Sequence, residues 1–184
     1  WDIALGGRLG IIRYGTPGTF RPKGGQLDFE GAVFPRIDPD EHHDLEASDY
    51  RIGIPITWSR GQIAIKFGYF HISSHVGDEF LLRTNFERIN YVRDSLVFGA
   101  AYFPSDDSRV YFELGYAPGT SGGAEPIILQ FGAEYSPVGV ICKGGAPFAA
   151  INGSLREEVN FGGSVNLMAG WRWRGSAANR LLGI

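Results

Sequence analysis

The residues most able to do chemistry in this sequence lie in the stretch FGYFHISSHVGDEF (residues 67–80). On a β-strand, side chains two positions apart share a face with their Cα atoms about 7 Å apart, so His71 could reach the hydroxyl of Ser73. An imidazole that takes the hydroxyl proton makes the serine a nucleophile for acyl transfer. A third group, an amide or a carboxylate, must then hold the tautomer of the imidazole. The spacing therefore predicts an ester hydrolase, provided that a strand presents both side chains.

Candidates for the third group lie on the next predicted strand, within INYVRDSLVFGAAYF (residues 89–103). Apolar residues take every second position from Leu96 onward, and the same phase carried backward includes Asp94 and Asn90. Counting from the inner turn of each strand places Asp94 near the height of His71, with Asn90 above it. Both residues are therefore candidates for orienting the imidazole.

Alternation of apolar and polar residues predicts that strands make up most of the chain. In YRIGIPITW (residues 50–58), Tyr50 and Ile52 share one face, and Arg51 and Gly53 take the other. The pattern predicts a tenth strand beginning at Leu181 and nine before it, at 2–14, 25–34, 49–58, 62–73, 88–103, 109–117, 126–136, 147–156 and 161–174. We therefore expect an all-β fold in a single domain spanning residues 1–184.

The two faces of these strands favour a transmembrane β-barrel over a soluble sandwich or a lipocalin-like barrel. One face is apolar and ends in Tyr or Trp, as in the aromatic girdles of outer-membrane barrels. The other carries charges deep within several strands, which a dry core would not tolerate unpaired. We expect an antiparallel barrel of about 10–12 strands. Its outward belt should include Ile52, Ile54, Ile63, Ile65, Phe67, Leu114, Leu129, Phe131 and Leu167. Its inward charges, which should neutralise one another, include Arg51, Lys66, Glu113, Glu134, Arg172 and Arg174.

Composition narrows the classes of function. The net charge of −3 gives no basic surface for nucleic acid. The single cysteine, Cys142, cannot form an internal disulfide and has no partners for a zinc site. The sequence has neither an apolar run long enough for a transmembrane helix nor the pattern of a signal peptide. It opens at Trp1 in mid-pattern, as a mature or trimmed chain would.

Loop lengths orient the predicted barrel, because outer-membrane barrels have short periplasmic turns and long external loops. The connections divide into tight turns at 59–62 and 104–108 and longer loops at 35–48, 74–86 and 117–125. The strand that carries His71 then runs outward and presents this side chain to lipid at the external membrane boundary. Single-chain bacterial barrels have even strand numbers, and no terminal aromatic strand is present, so we expect the barrel to be incompletely represented.

The His-x-Ser pair on an outward-facing strand resembles the active-site strand of outer-membrane phospholipase A. The lipid A deacylases of Gram-negative outer membranes have a similar pair. In these families the pair faces the lipid, where ester-bonded substrates lie. The resemblance implies His71 as the base, Ser73 as the nucleophile and Asn90 as the orienting residue. Asn90 lies 17 positions after Ser73, more than is expected for phospholipase A, so Asp94 and Glu87 compete for that role.

A longer resemblance covers residues of about 27–140. The segments EGAVFPRIDPDE, DLEASDYRIGIPI, HISSHVGDEFLLR and INYVRDSL look like those of a bacterial domain-of-unknown-function family of predicted outer-membrane proteins. The resemblance implies a barrel in the bacterial outer membrane and brings no established activity.

The polar residues also have simpler interpretations. His71 and Ser73 could be interfacial residues at the point where a strand leaves the membrane. The acidic pair Asp78 and Glu79 could belong to a solvated turn. It could also bind a divalent cation such as calcium, because hard cations take clustered carboxylates.

Two hypotheses of function follow. The first is an interfacial lipid acyl hydrolase of the phospholipase or deacylase type. The second is a non-catalytic barrel that acts as a scaffold, an anchor or a narrow channel in an envelope assembly. Membrane lipid is the expected partner in both cases. Other envelope proteins or a second copy of the chain are further candidates, and nucleic acid is not expected.

Overall fold

A computed structural model describes residues 1–16, 23–137, 145–174 and 181–183. These residues form one antiparallel sheet of ten strands, in which each strand pairs with the next along the chain. The strands are β1 (Leu5–Gly15), β2 (Gly24–Asp38), β3 (Asp44–Arg60), β4 (Ile63–Val76), β5 (Tyr91–Ser105), β6 (Ser108–Ser121), β7 (Ile127–Tyr135), β8 (Ala146–Arg156), β9 (Gly162–Arg174) and β10 (Leu181–Gly183). The prediction of an all-β antiparallel fold is confirmed, and each predicted strand has its observed counterpart.

The sheet curls as an open half-barrel. Within the described residues, β1 pairs only with β2 and β10 only with β9, so these two strands are the edges. Most of β1 and β9 is exposed on both faces, as expected for strands near an open edge. The best-covered interior therefore lies over the strands between them.

Large apolar side chains cover one face, here called the outer face, which carries Ile52, Phe67 and Phe98. The predicted belt lies on it, and its side chains are exposed from 39% at Leu114 to 78% at Leu167, except for the half-buried Leu129. A soluble sandwich would bury this set in a dry core. The predicted orientation of the alternation is therefore confirmed.

Charged side chains on the opposite, inner face are paired across strands. The ion pairs join Arg51 Nη1 to Glu30 Oε1 at 2.9 Å, Lys66 Nζ to Glu113 Oε1 at 2.5 Å and Arg109 Nε to Glu134 Oε1 at 3.1 Å. Arg172 instead donates to Ser136 Oγ, and its guanidinium lies 4.7 Å from the centroid of the Phe148 ring. The predicted mutual neutralisation is confirmed for Lys66 and Glu113, whereas Arg51 and Glu134 pair with inner-face residues outside the predicted set. The side chain of Arg174, like the whole of Cys142, lies outside the described residues.

Glycines leave space for aromatic side chains on both faces to lie flat against the sheet. Aromatic residues stand directly opposite glycines in the pairs Trp58–Gly25, Phe70–Gly53, Tyr111–Gly132 and Phe131–Gly153. Phe70 is 2% exposed, and a Cβ on Gly53 would lie 2.2 Å from its ring. Above the same ring, the Arg51 guanidinium carbon lies 4.2 Å from the centroid. Such pairs cover the bare backbone of a glycine with the ring of its neighbour and help to fix the register.

Two of the three longer connections are shorter than predicted, which corrects the loops expected at 35–48 and 117–125, whereas the loop expected at 74–86 is shifted towards β5. Strands extend into each of them and leave only 39–43, 77–90 and 122–126 outside the sheet. The ladder of backbone hydrogen bonds continues there because it needs no apolar side chains. The tight turns are confirmed, since only residues 61–62 and 106–107 separate their strands.

A short helix, α1 (Asp78–Thr84), lies between β4 and β5 and was not predicted. Its seven residues are too few for a periodic signal. A 3₁₀ turn (Glu157–Val159) joins β8 to β9. No helix in the described parts of the chain is long and apolar enough to cross a membrane.

We predict that Gly53→Ala destabilises the folded sheet by about 1–3 kcal/mol, because the new methyl group overlaps the buried Phe70 ring. The control is Gly115→Ala on the same face, where the nearest atoms to an added Cβ are 3.7 Å away. The control should change stability by about 0.5 kcal/mol or less. Urea titration of the detergent-folded protein, followed by tryptophan fluorescence, measures both. Equal losses in the two variants would contradict the role of the Phe70 ring.

Candidate active site on the outer face

The predicted catalytic residues lie on two adjacent strands of the outer face. In the register of β4 and β5, His71 stands opposite Asp94 and Ser73 opposite Val92. Because side chains two positions apart share a face, Phe67, His71 and Ser73 belong to the same face as the exposed belt. This placement follows from the alternation, as the sequence predicted.

A hydrogen bond joins the imidazole to the carboxylate. His71 Nδ1 lies 2.8 Å from Asp94 Oδ1, and the two side chains are 37% and 39% exposed. A pair this exposed adds little to folding stability, because solvent screens it. Its chemical value is different, since a carboxylate on Nδ1 fixes which ring nitrogen carries the proton and leaves Nε2 as the basic one.

A second donor, Tyr69, reaches the same carboxylate oxygen. Its hydroxyl donates to Asp94 Oδ1, the atom that also contacts His71. Tyr69 stands opposite Leu96 and therefore diagonally from Asp94, a separation that an aromatic side chain can span. In the sequence, Tyr69 fits the aromatic end of the apolar face and shows no chemical role. The signal that could have identified it is this diagonal spacing, two positions before the histidine.

Ser73 shares the face with His71 but is not bonded to it. Within the described residues its hydroxyl makes no hydrogen bond with the imidazole, and its backbone neighbours are Tyr50 on β3 and Val92 on β5. Hydrogen bonds to a nucleophile often form only when substrate is bound. The assignment of Ser73 as the nucleophile stays a prediction.

The structure favours Asp94 over the other candidates for the third group. Asn90 precedes β5 and is exposed, and its main-chain oxygen accepts a hydrogen bond from Ser121 Oγ at 3.4 Å. Glu87 is exposed in the segment that follows α1. Neither contacts His71, whereas Asp94 does.

A register shift in β6 leaves space beside the carboxylate. Leu96 pairs with Tyr116 but Asp94 pairs with Gly119, so β6 has one residue more than β5 in this interval. The extra residue falls at Ala117–Pro118, and a proline is tolerated in a bulge because it has no N–H to donate. The bulge therefore places Gly119, which has no side chain, next to Asp94.

The acidic pair proposed as a cation site belongs to the first turn of α1. Asp78 forms an ion pair with Arg88, and Glu79 is exposed. Across the described residues, no group of three or more His, Cys, Asp or Glu side chains is arranged to hold a metal ion. The divalent-cation hypothesis therefore gains no support from this helix.

Two ties hold the helix to its neighbours: Arg83, and the N–H of its N-cap residue Gly77, which donates to the main-chain oxygen of Glu46 on β3. Arg83 lies 3.1 Å from Glu41, 3.5 Å from Asp44 and 3.6 Å from Asp38. These carboxylates belong to the hairpin between β2 and β3. The segment that leads from β4 to β5 is thus tied to a neighbouring hairpin.

Comparison with known proteins identifies a family whose function is unknown. Residues 19–181 match the family described as "Protein of unknown function (DUF1207)". No curated protein matches the chain, and no solved structure does. The expected resemblance to a family of unknown function is confirmed, whereas the resemblance to phospholipase A and lipid A deacylase stays a prediction.

We predict that the Asp94 carboxyl titrates below the ordinary range of aspartate. The Tyr69 hydroxyl first, and His71 second, lower the pKa of Asp94, which lies near the start of β5. A lowered pKa in the folded state means that this interaction stabilises the fold above the unfolded pKa, about 3.9. The stabilisation is lost as the pH falls through the folded value. Carboxyl ¹³C shifts in micelles measure the titration.

The control for this titration is His75→Gln, since His75 packs against Tyr50 rather than against Asp94. His71→Gln should raise the pKa of Asp94 towards its ordinary value, and His75→Gln should not. An Asp94 that titrates normally in the wild type would contradict the hydrogen bonds described.

Proposed function

The chain belongs to the DUF1207 family of proteins of unknown function, and from its outer face we propose that it is an integral β-barrel of the bacterial outer membrane. The supporting observation is the exposed belt. Soluble monomers rarely expose contiguous apolar patches larger than a few hundred Å². Here large apolar side chains are exposed on every strand from β1 to β9. Hydrocarbon is the environment in which such a surface is stable.

We further propose that the outer face carries an interfacial acyl hydrolase with lipid esters as substrates. The single observation that supports this activity is the contact of His71 Nδ1 with Asp94 on the apolar outer face. It matches the base and the orienting group of a serine hydrolase. Ser73, one step along the same face, supplies the hydroxyl.

The chemistry proposed for these three residues is acyl transfer in two steps. His71 Nε2 takes the proton of Ser73 as Oγ attacks the ester carbonyl, and the Asp94 carboxylate stabilises the imidazolium. The proton passes to the leaving alkoxide, which departs as an alcohol and leaves an acyl-serine. Water, activated by the same imidazole, then releases the fatty acid and restores the serine.

The alternative is a non-catalytic barrel that serves as a scaffold or an anchor. The missing hydrogen bond between Ser73 and His71 favours this alternative. The inner face also favours a filled interior over a wide channel, because Phe70 and the ion pairs of Arg51 and Lys66 occupy it. Both proposals place the protein in the membrane, and they differ only in whether the site on the outer face is catalytic.

We predict that Phe98→Arg weakens membrane insertion by about 2–4 kcal/mol, because the charge would face hydrocarbon. Phe98 is 53% exposed in the middle of the outer face. The control is Gln130→Arg, on the inner face opposite Glu113. Folding into lipid vesicles under a urea gradient measures both variants. If Phe98→Arg inserts as well as Gln130→Arg, the outer face does not meet lipid.

We predict that Ser73→Ala and His71→Gln each lower ester hydrolysis by at least about a thousandfold, with the double variant barely worse than either. Asp94→Asn should also lose activity, whereas Asn90→Ala should not. The rate should fall as the pH is lowered, because a protonated imidazole cannot act as the base. The assay uses the purified protein on phospholipid and on lipid A, with calcium present and absent.

The matched control for this assay is Ser74→Ala, since Ser74 is the next residue on β4 and faces inward. This variant should keep full activity. Hydrolysis that survives Ser73→Ala would assign the activity to other residues. If the wild type hydrolyses no ester with or without calcium, the scaffold alternative stands.

A further inference from the structure

We propose that Tyr69 is a positioning residue of the outer-face site: its hydroxyl holds the Asp94 carboxylate where it accepts the hydrogen bond of His71 Nδ1. This inference rests on the proposed hydrolase function, because it concerns the same histidine. It adds a residue that the alternation alone places only in the aromatic girdle.

The first argument is the shared oxygen. Both the Tyr69 hydroxyl and His71 Nδ1 contact Asp94 Oδ1, although the carboxylate has a second oxygen that could accept one of the two bonds. Two donors that converge on one atom from neighbouring positions of one strand restrict the rotation of the carboxylate more than either donor alone. The orientation of the imidazole then depends on the hydroxyl two positions before it.

The second argument is the space around the carboxylate. On the β6 side Asp94 stands opposite Gly119, and a Cβ placed there would still lie 3.8 Å from Asp94 Oδ2. On the β3 side the residue opposite His71 is Ile52, which makes no hydrogen bond through its side chain. No side chain of these neighbours would hold Asp94 in place if the Tyr69 hydroxyl were removed.

Few other charged or titratable groups lie where they could hold the Asp94 carboxylate in place. The facing residues on β3 and β6, Ile52 and Gly119, do not titrate. On β6 the nearest titratable residue of this face is Tyr116, which stands opposite Leu96 and makes no hydrogen bond with Asp94 among the described residues. Tyr50 and His75 pack against each other with their ring centroids 5.9 Å apart. Tyr69 is therefore the one side chain besides His71 that contacts the Asp94 carboxylate among the described residues.

The test is the tautomer of His71, read from the ring ¹⁵N shifts of the labelled protein in micelles at neutral pH. The resonance that is present in the wild type and absent from His71→Gln is assigned to His71 among the four histidines. The wild type should be mostly protonated on Nδ1. Tyr69→Phe, which keeps the ring and removes the hydroxyl, should shift the population towards Nε2 protonation. Tyr50→Phe, a tyrosine of the same face that does not contact Asp94, should leave it unchanged.

Kinetics provide a second readout. Tyr69→Phe should lower kcat for ester hydrolysis by at least about tenfold, with little change in KM, as expected for the loss of one hydrogen bond to a charged group. In an Asp94→Asn background the same substitution should have no further effect. A merely interfacial tyrosine would show neither the tautomer shift nor this dependence on Asp94.

The outcomes separate the two proposals. If Tyr69→Phe matches Tyr50→Phe in tautomer and rate, the positioning role is overturned even when the wild type is an active hydrolase. If the wild type hydrolyses no ester but Tyr69→Phe shifts the tautomer, the hydrolase proposal fails and the control of His71 by Tyr69 is upheld.

Discussion

One ion pair at the centre of the sheet spans β5 and joins the strands on either side of it, β4 and β6. Lys66 on β4 reaches Glu113 on β6, and the residue between them on β5 is Gly99. A Cβ on Gly99 would lie only 3.1 Å from the Glu113 side chain, so the absence of a side chain leaves room for the contact. Isolated charges on a covered face would be costly. Pairing removes that cost and allows the strands to turn their apolar side chains outward.

The same register determines the site on the other face. Lys66 opposes Gly99, and counting five residues outward along both strands brings His71 opposite Asp94. A slip of one residue would send every side chain of a strand to the wrong face. It would separate the inner ion pair and the outer His–Asp pair at once. The His–Asp contact on the outer face and the ion pairs of the inner face therefore depend on one alignment.

The parts of the molecule that follow from period-two alternation were predictable. The ten strands, the outward set that includes Phe67 and Leu114, and the face of His71 all come from that rule. Register is a cross-strand property, so counting could bring Asp94 near His71 but could not exclude Asn90. The Tyr69 hydroxyl was missed because an aromatic residue at a strand end already fits a girdle. Strand ends were misplaced where polar residues continue the ladder beyond the apolar belt, as at Asp38 and Ser121.

The helix α1 and the sheet are held by different interactions, so the two should respond differently to salt. The helix has no buried residues, and Arg83 ties it to three carboxylates of the β2–β3 hairpin. Ion pairs that solvent reaches, as it reaches these half-buried ones, weaken as ionic strength rises, because the screening length shortens to a few Å near molar salt. The sheet, which is held by backbone hydrogen bonds between neighbouring strands, has no such dependence. Salt would therefore loosen the segment between β4 and β5 while the sheet remains intact.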